Sequence, residues 1–235
     1  MQLYAVNKAD VRPAASPLVR GERNLRLRFL SVRAGRRDHS RCLVAHLAER
    51  LLKGGSLESA QAAVDLLPKL AGAVWADVGF GGGLGLQLLL QRRPAGGQVH
   101  GVESSRGLLR SAASRFRPEL VAGRLQLHEA SPEQLPLPTG GIDGVMTLNT
   151  VYCLTDTQLV QALRELKRVL APGGRLILGA TEPAEMARLP LSAGFRIRTI
   201  DQIECVLDAV GFDSLGRHRV GGAGETLHLL LATTR

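Results

Sequence analysis

The sequence has few cysteines, few aromatic residues and no long apolar run, and each shortage excludes a class of protein. Its 235 residues include only three cysteines, Cys42, Cys153 and Cys205, which are widely spaced and odd in number. We therefore expect no disulfide framework, and a reducing cytoplasm is the expected setting. No apolar run approaches the roughly 18 residues of a membrane-spanning helix. The first eight residues lack the apolar core of a secretory signal, so secretion is not indicated.

Positive charge is concentrated in the N-terminal segment. Residues 1–53 hold 12 Lys and Arg against 4 Asp and Glu, which gives +8 of the net charge of +9. Such a segment suits a solvated surface, nucleic acid, an anionic membrane or an acidic substrate. Its only aromatic residues are Tyr4 and Phe29, so it lacks the stacking platforms of single-strand binders. We therefore expect no nucleic-acid partner, and an RNA or protein target guided by this segment is kept as the alternative.

From residue 73 onward, strand and helix patterns alternate. Apolar runs predict strands at 73–78, 98–103, 124–129, 142–148 and 175–180, with helices at 84–92, 106–116 and 156–170 between them. A helix capped by Thr199 or Asp201 follows, and then a glycine-rich turn joins two strands at 213–220 and 226–233. This order predicts a doubly wound α/β fold with a seven-stranded, mostly parallel sheet and a C-terminal antiparallel hairpin.

A glycine-rich turn stands between the first of these strands and its helix. It reads Asp77-Val78-Gly79-Phe80-Gly81-Gly82-Gly83, and its alternate glycines allow a ligand to approach the backbone closely. Leu84 stands where a dinucleotide fingerprint requires a third glycine or alanine, and the lysine of a phosphate-binding loop is absent. The next strand ends in Glu103, whose carboxylate can accept both hydroxyls of a ribose. Glu103 is also placed to complement the start of the helix that follows it.

Three segments in this order resemble the class I S-adenosylmethionine-dependent methyltransferases, in particular the group with the ubiquinone and menaquinone C-methyltransferases. They are residues 77–83, 131–145 and 163–176. The resemblance implies a Rossmann-like fold, S-adenosylmethionine as cofactor with S-adenosylhomocysteine as product, and methyl transfer to a small molecule, lipid-like compounds and natural products included. It also implies N-terminal lid helices, so we divide the chain into a basic arm with lid helices, 1–69, and a cofactor-binding methyltransferase domain, 70–235. A homodimer is compatible with the sequence, and a non-catalytic cofactor-binding protein is a further alternative.

The resemblance also implies which residues hold the cofactor. The glycine loop would face its methionine part, Glu103 its ribose and Ser104 its adenine. Ser131 stands where the family commonly has an aspartate beside the adenine, and Glu129 is a possible substitute. The predicted cofactor residues are Asp77, Gly79, Phe80, Gly81, Gly83, Glu103, Ser104, Ser131, Pro132, Glu133, Asn149 and Thr150.

The acceptor side is less defined by the sequence, and no catalytic base is predicted. The resemblance places the loop after the fourth strand beneath the sulfonium, so Asn149 and Tyr152 are candidates for orienting cofactor or acceptor. The alternative is that Tyr152 packs on the helix that follows. His39, Cys42 and His46 share one face of a predicted helix at 40–52, which suits a pocket wall or partly buried helix residues. We predict no metal, because a structural zinc site requires a fourth ligand.

Overall fold

The computed structural model describes residues 2–4, 55–189, 194–221 and 226–234, with only the backbone of residues 2–4, 55 and 56. The predicted helix at 40–52, with His39, Cys42 and His46, lies outside these residues. The same is true of most of the basic arm and of part of the turn in the C-terminal hairpin. Within the described ranges, no helix combines the length and the apolar character that crossing a membrane requires.

One mixed sheet of eight strands organises the described residues, in the order β1-β4-β3-β2-β5-β6-β8-β7. The inner strands β4, β3, β2, β5 and β6 are parallel, whereas β8 is antiparallel to β6 and β7 to β8. The predicted seven strands and C-terminal hairpin are therefore confirmed. The edge strand β1, antiparallel to β4, was not predicted. The strands are β1 (Gln2–Tyr4), β2 (Val74–Val78), β3 (Gln98–Glu103), β4 (Leu125–Glu129), β5 (Ile142–Leu148), β6 (Leu170–Thr181), β7 (Phe212–Val220) and β8 (Leu227–Thr234).

Helices cover both faces of the sheet, and an apolar cluster lies on each side. One cluster includes Leu163 and Ile203, from α5 and α7, and the other includes Val64 and Leu89, from α1 and α2. The cluster of α1 and α2 also contains Trp75 and Ile177 of the sheet, so α1 packs directly on the sheet. The predicted boundary at 69/70 between the arm and the methyltransferase domain stays a prediction. The helices are α1 (Gly55–Asp65), α2 (Leu84–Arg92), α3 (Arg106–Arg115), α4 (Arg117–Val121), α5 (Asp156–Val169), α6 (Pro183–Met186) and α7 (Ile200–Val210).

Local sequence signals account for several of the element ends. Thr155 and Thr199 each form a capping box with the glutamine three residues later, so Thr199 rather than Asp201 caps α7. Strand β6 is longer than predicted, because Leu170 already pairs with Ile142 before the turn at 171–174. The turn interrupts the register between the two strands without ending their pairing.

The order of the strands creates a crevice at one edge of the sheet. The chain builds outward from β2 through β3 to β4 and then returns to place β5 on the other side of β2. At such a switch point the loops after neighbouring strands diverge and leave room for a ligand. The glycine loop and the segments after β3 and β5 all lie at this edge.

Candidate cofactor and acceptor site

The glycine loop leaves β2 in a backbone conformation that requires glycine. Gly79, Gly81 and Gly83 have φ angles of +76°, +54° and +80°, in the left-handed region. The Gly79 amide still donates to the Val102 carbonyl at 2.8 Å, so the loop starts as a continuation of the β2–β3 pairing. The sequence therefore located this turn correctly, between the end of β2 and the start of α2.

Glu103 faces the glycine loop, as the spacing predicts. Its side chain is buried, with only 1% of the residue exposed. One carboxylate oxygen accepts hydrogen bonds from the Ser105 amide at 2.8 Å and the Ser104 hydroxyl at 3.3 Å, and the other accepts from the Gly81 amide at 3.3 Å. Main-chain and hydroxyl donors thus hold a desolvated carboxylate at the carboxyl end of β3. That arrangement suits a group that receives ligand hydroxyls.

Asp77 lies beneath the loop rather than at its open side. Its side chain is buried, and its carboxylate is so close to Gly85 that a Cβ there would overlap it and the Met146 methyl group. Gly85 thus provides the close contact between helix and strand that a third fingerprint glycine would otherwise provide. Gly85 is not among the residues predicted from the sequence. A glycine inside an apolar helical stretch was the available signal, because it costs helix stability unless close packing requires it.

The Phe80 side chain belongs to the apolar core. The residue is 5% exposed, and its ring lies against Gly101 of β3, where a Cβ would approach the ring to 3.1 Å. Only the backbone of Phe80 is therefore placed to meet a ligand, and its carbonyl already accepts from the Gly83 amide at 2.9 Å.

Asn149 and Thr150 adjoin the glycine loop from β5. Asn149 has a φ of +59°, which is the only positive value for a non-glycine residue in the described ranges. Its Oδ1 accepts from the Thr181 amide at 2.8 Å, which ties the end of β5 to the end of β6. The Thr150 side chain lies directly against Gly79, where it would block any Cβ. Both residues therefore shape the edge of the crevice.

Tyr152 lies in the core and not on an acceptor surface. It is fully buried in the same apolar cluster as Leu159 of α5, and its hydroxyl donates to the Thr181 carbonyl at 2.6 Å. Burial, and next the nearby Glu182 carboxylate, raise the pKa of this hydroxyl. The packing alternative therefore replaces the expectation that Tyr152 orients an acceptor.

Where the adenine is predicted to bind, the buried polar groups are the carboxylates of Glu129 and Glu133 rather than the hydroxyl of Ser131. Ser131 is exposed, and Pro132 and Glu133 are partly buried. Glu129 accepts from the Arg106 guanidinium at 2.7 Å through Oε1. The Oε2 atoms of Glu129 and Glu133 are buried and have no hydrogen-bond partner within the described structure. A ligand that donates hydrogen bonds, such as an adenine amino group, would satisfy such an acceptor.

Arg198 fixes the segment that follows Asn149 and Thr150. Its buried guanidinium donates to the Val151 and Leu154 carbonyls, each at 2.7 Å, and to the Asp156 carboxylate. One side chain from the segment before α7 therefore holds the link between β5 and α5. The sequence offered no signal for this contact, because the partners are more than 40 residues apart.

A second unpredicted pair lies at the end of β6. His228 of β8 is 6% exposed, and its Nε2 lies 2.8 Å from Oε2 of Glu182, the residue after β6. Among the described residues, no group of three or more His, Cys, Asp and Glu side chains could hold a metal ion.

Comparisons with known proteins place this geometry among methyltransferases. Residues 76–178 match the family described as a methyltransferase domain. The chain is 35% identical over 133 residues to demethylmenaquinone methyltransferase of Thermus thermophilus, covering 56% of this chain and 58% of that protein. It is 37% identical over 98 residues to the ubiquinone/menaquinone biosynthesis C-methyltransferase UbiE of Syntrophotalea carbinolica, covering 41% and 38%. A solved S-adenosylmethionine-dependent methyltransferase of Aquifex aeolicus superposes with a TM-score of 0.67 at 19% identity, covering 80% of this chain and 97% of that one.

These similarities have defined extents. The chain spans about half or less of the length of the curated relatives it matches, from 38% to 58%. At 19% identity, the structural likeness shows the fold alone. The matched range extends from β2 to β6 and therefore includes the glycine loop, Glu103 and Asn149.

Proposed function

The chain belongs to the class I S-adenosylmethionine-dependent methyltransferases, and from this premise we propose that it transfers the methyl group of S-adenosylmethionine to a small-molecule acceptor. The observation that carries the proposal is the buried Glu103 carboxylate, which accepts from the Gly81 amide at the carboxyl ends of β3 and β2, beside the switch point of the sheet. Relatives whose names refer to demethylmenaquinone and to ubiquinone or menaquinone support a quinone-like acceptor.

The residues present at the crevice fit this cofactor. Glu103 would receive the ribose hydroxyls, and Gly79, Gly81 and Gly83 would let the methionine part approach the backbone. The partnerless carboxylate oxygens of Glu129 and Glu133 would meet the donors of the adenine. Asp77 and Phe80 would act from beneath, by shaping the loop. The predicted cofactor residues therefore divide into those that can touch the ligand and those that support them.

The cofactor supplies an activated methyl group on a positively charged sulfur. The task of the chain is therefore to hold donor and acceptor in line and to exclude water. Positioning of this kind can supply roughly 7–11 kcal/mol of the barrier reduction. Asn149 and Thr150 contribute by fixing the end of β5 against Gly79 and Thr181.

Calorimetric titration with S-adenosylmethionine tests the proposal. We expect a dissociation constant of about 1 μM, equivalent to about −8 kcal/mol. Glu103→Gln should weaken binding by roughly 1.5–3 kcal/mol, because it removes the charged acceptor of the ribose hydrogen bonds. Glu58→Gln, at an exposed position on α1, is the matched control and should bind as the wild type does. Absence of binding by the wild-type chain would refute the proposal.

Transfer is tested with S-adenosylmethionine labelled in its methyl group and a reduced demethylmenaquinone as acceptor. Label in the extracted quinone would support the small-molecule class. The charge of +8 on residues 1–53 favours a second candidate, an RNA methyltransferase. RNA binding that falls steeply with salt, together with label in RNA, would favour that candidate instead.

A further inference from the structure

The Glu182–His228 pair lies at the same edge of the sheet as the glycine loop. Glu182 follows Thr181, the last residue of β6, and the Thr181 amide donates to Asn149 at the end of β5. The Glu182 amide donates to the Thr226 carbonyl at 2.8 Å, which holds its backbone beside the start of β8. The pair is therefore connected by hydrogen bonds to the segment that borders the crevice, on the side away from Glu103.

The contact with Glu182 fixes which imidazole nitrogen of His228 carries the hydrogen. Nε2 of His228 is 2.8 Å from the Glu182 carboxylate, so Nε2 carries the hydrogen when Glu182 is ionised. Nδ1 then bears a lone pair. It is buried and has no hydrogen-bond partner in the described part of the chain. A buried acceptor without a donor is costly, so its presence points to a ligand that supplies the donor.

Another histidine with a partnerless nitrogen does not share this position. His128 pairs with His100 across β3 and β4, with 3.0 Å between ring nitrogens, and among the described residues neither ring forms an ion pair with a carboxylate. That pair lies on the other side of β2 from β5 and β6. A base that receives the proton of an acceptor needs both a free nitrogen and a group that stabilises its positive charge. Of these histidines, only His228 combines the two.

We propose that His228, oriented by Glu182, accepts the proton of an acidic hydroxyl group on the acceptor, of the phenol or hydroquinone class. This inference rests on the proposed function. The hydroxyl proton moves to Nδ1, and the electron pair of the resulting phenolate forms the new bond to the methyl carbon. The bond from that carbon to sulfur breaks, and its electron pair stays on sulfur. The imidazolium is stabilised by Glu182 and later returns its proton to water.

Two catechols that differ in acidity test the assignment. Catechol keeps its hydroxyl protons at pH 8, whereas 4-nitrocatechol is already ionised. With catechol, His228→Gln should lower kcat by at least about 100-fold, which is the usual contribution of a general base. With 4-nitrocatechol the same variant should stay within about 5-fold of the wild type, because no base is then required. A purely structural role for His228 would lower both rates equally and would overturn the proposal.

Controls separate this inference from the proposed function. His218→Gln, at an exposed position on β7, should leave both rates unchanged. Glu182→Gln should lower the rate with catechol about 10-fold with the same selectivity, and it keeps the test decisive where His228→Gln does not fold. S-adenosylmethionine affinity should stay within about twofold of the wild type in all three variants.

A binding measurement without turnover completes the test. In protein with ¹⁵N-labelled histidine, catechol alone should shift the Nδ1 resonance of His228, assigned by its loss in His228→Gln. No shift would overturn the proposal. A wild-type chain that binds S-adenosylmethionine but methylates neither catechol would overturn the hydroxyl assignment and leave the proposed function standing. A chain that does not bind the cofactor would overturn both.

Discussion

The contact between Gly79 and Thr150 can be used to test the packing of the glycine loop beside the proposed cofactor site. An alanine at position 79 would adopt a φ of +76°, and its Cβ would overlap the Thr150 hydroxyl and approach its methyl group to 3.2 Å. Gly72 has the same φ of +76° but has no atom within 4 Å of the position where a Cβ would stand. The two glycines therefore share a backbone cost and differ in the steric one, which makes Gly72→Ala a matched control.

The expected magnitudes follow from these two terms. Alanine in the left-handed region costs about 1 kcal/mol, which is all that Gly72→Ala should lose. Gly79→Ala adds an overlap in a packed site, which typically costs about 1–3 kcal/mol more. We therefore expect a loss near 3 kcal/mol for Gly79→Ala. Thr150→Ala removes both overlapping atoms at the cost of long hydrogen bonds of 3.4 and 3.5 Å, so it should lose less than about 1 kcal/mol.

The double variant isolates the contact. In Gly79→Ala/Thr150→Ala the overlap is relieved, so the two changes together should cost about 1–2 kcal/mol less than the sum of the single ones. Urea unfolding can be followed by the fluorescence of Trp75, the single tryptophan, which is fully buried in β2 next to the loop. Calorimetry of S-adenosylmethionine binding should show weakened affinity for Gly79→Ala, restored in part in the double variant and unaffected in Gly72→Ala.

Two results would refute this reasoning. Equal losses of stability in Gly72→Ala and Gly79→Ala would mean that the Thr150 side chain does not overlap a Cβ at position 79. Strict additivity in the double variant, within about 0.5 kcal/mol, would mean that the two residues are not in contact.

Two further predictions concern positions away from the loop. Arg198→Met should lower the free energy of unfolding in urea by about 3 kcal/mol, because two buried carbonyls lose their donor. Arg196→Met, at an exposed neighbouring position, should stay within about 0.5 kcal/mol of the wild type. Burial lowers the pKa of His100 to about 4 and that of His128 to about 3, and for His128 the neighbouring His100 adds to the effect. The unfolded chain therefore binds more protons below about pH 6.5, so stability is complete above that pH and is lost as the pH falls toward these values. Urea titrations between pH 5 and 6.5 should show a slope of up to about 1.4 kcal/mol per pH unit for each histidine, and a slope unchanged in His100→Leu/His128→Leu would contradict the assignment.

Local sequence patterns were enough to predict the order of the elements and the position of the glycine loop beside the cofactor site. Glycines at alternate positions after an apolar run leave few structures other than a tight turn between strand and helix. The spacing from Gly83 to Glu103 places the carboxylate at the end of the adjacent strand, because one helix and one strand occupy the interval. These features depend on residues close together in the sequence, so the amino-acid pattern is sufficient to predict them.

The tertiary structure alone decided which side chains face the crevice. Strands buried on both faces read as continuous apolar runs, so their sequence does not distinguish a residue facing the site from one facing the core. The loops after β5 and β2 are equally ambiguous: the sequence favours Tyr152 as an acceptor contact and Phe80 as a cofactor contact, although both side chains lie in the core. Glu182 and His228 are 46 residues apart, and only the antiparallel pairing of β8 with β6 brings them to 2.8 Å. Contacts of this kind depend on strand order and register, which are set by packing of the whole domain and not by any local pattern.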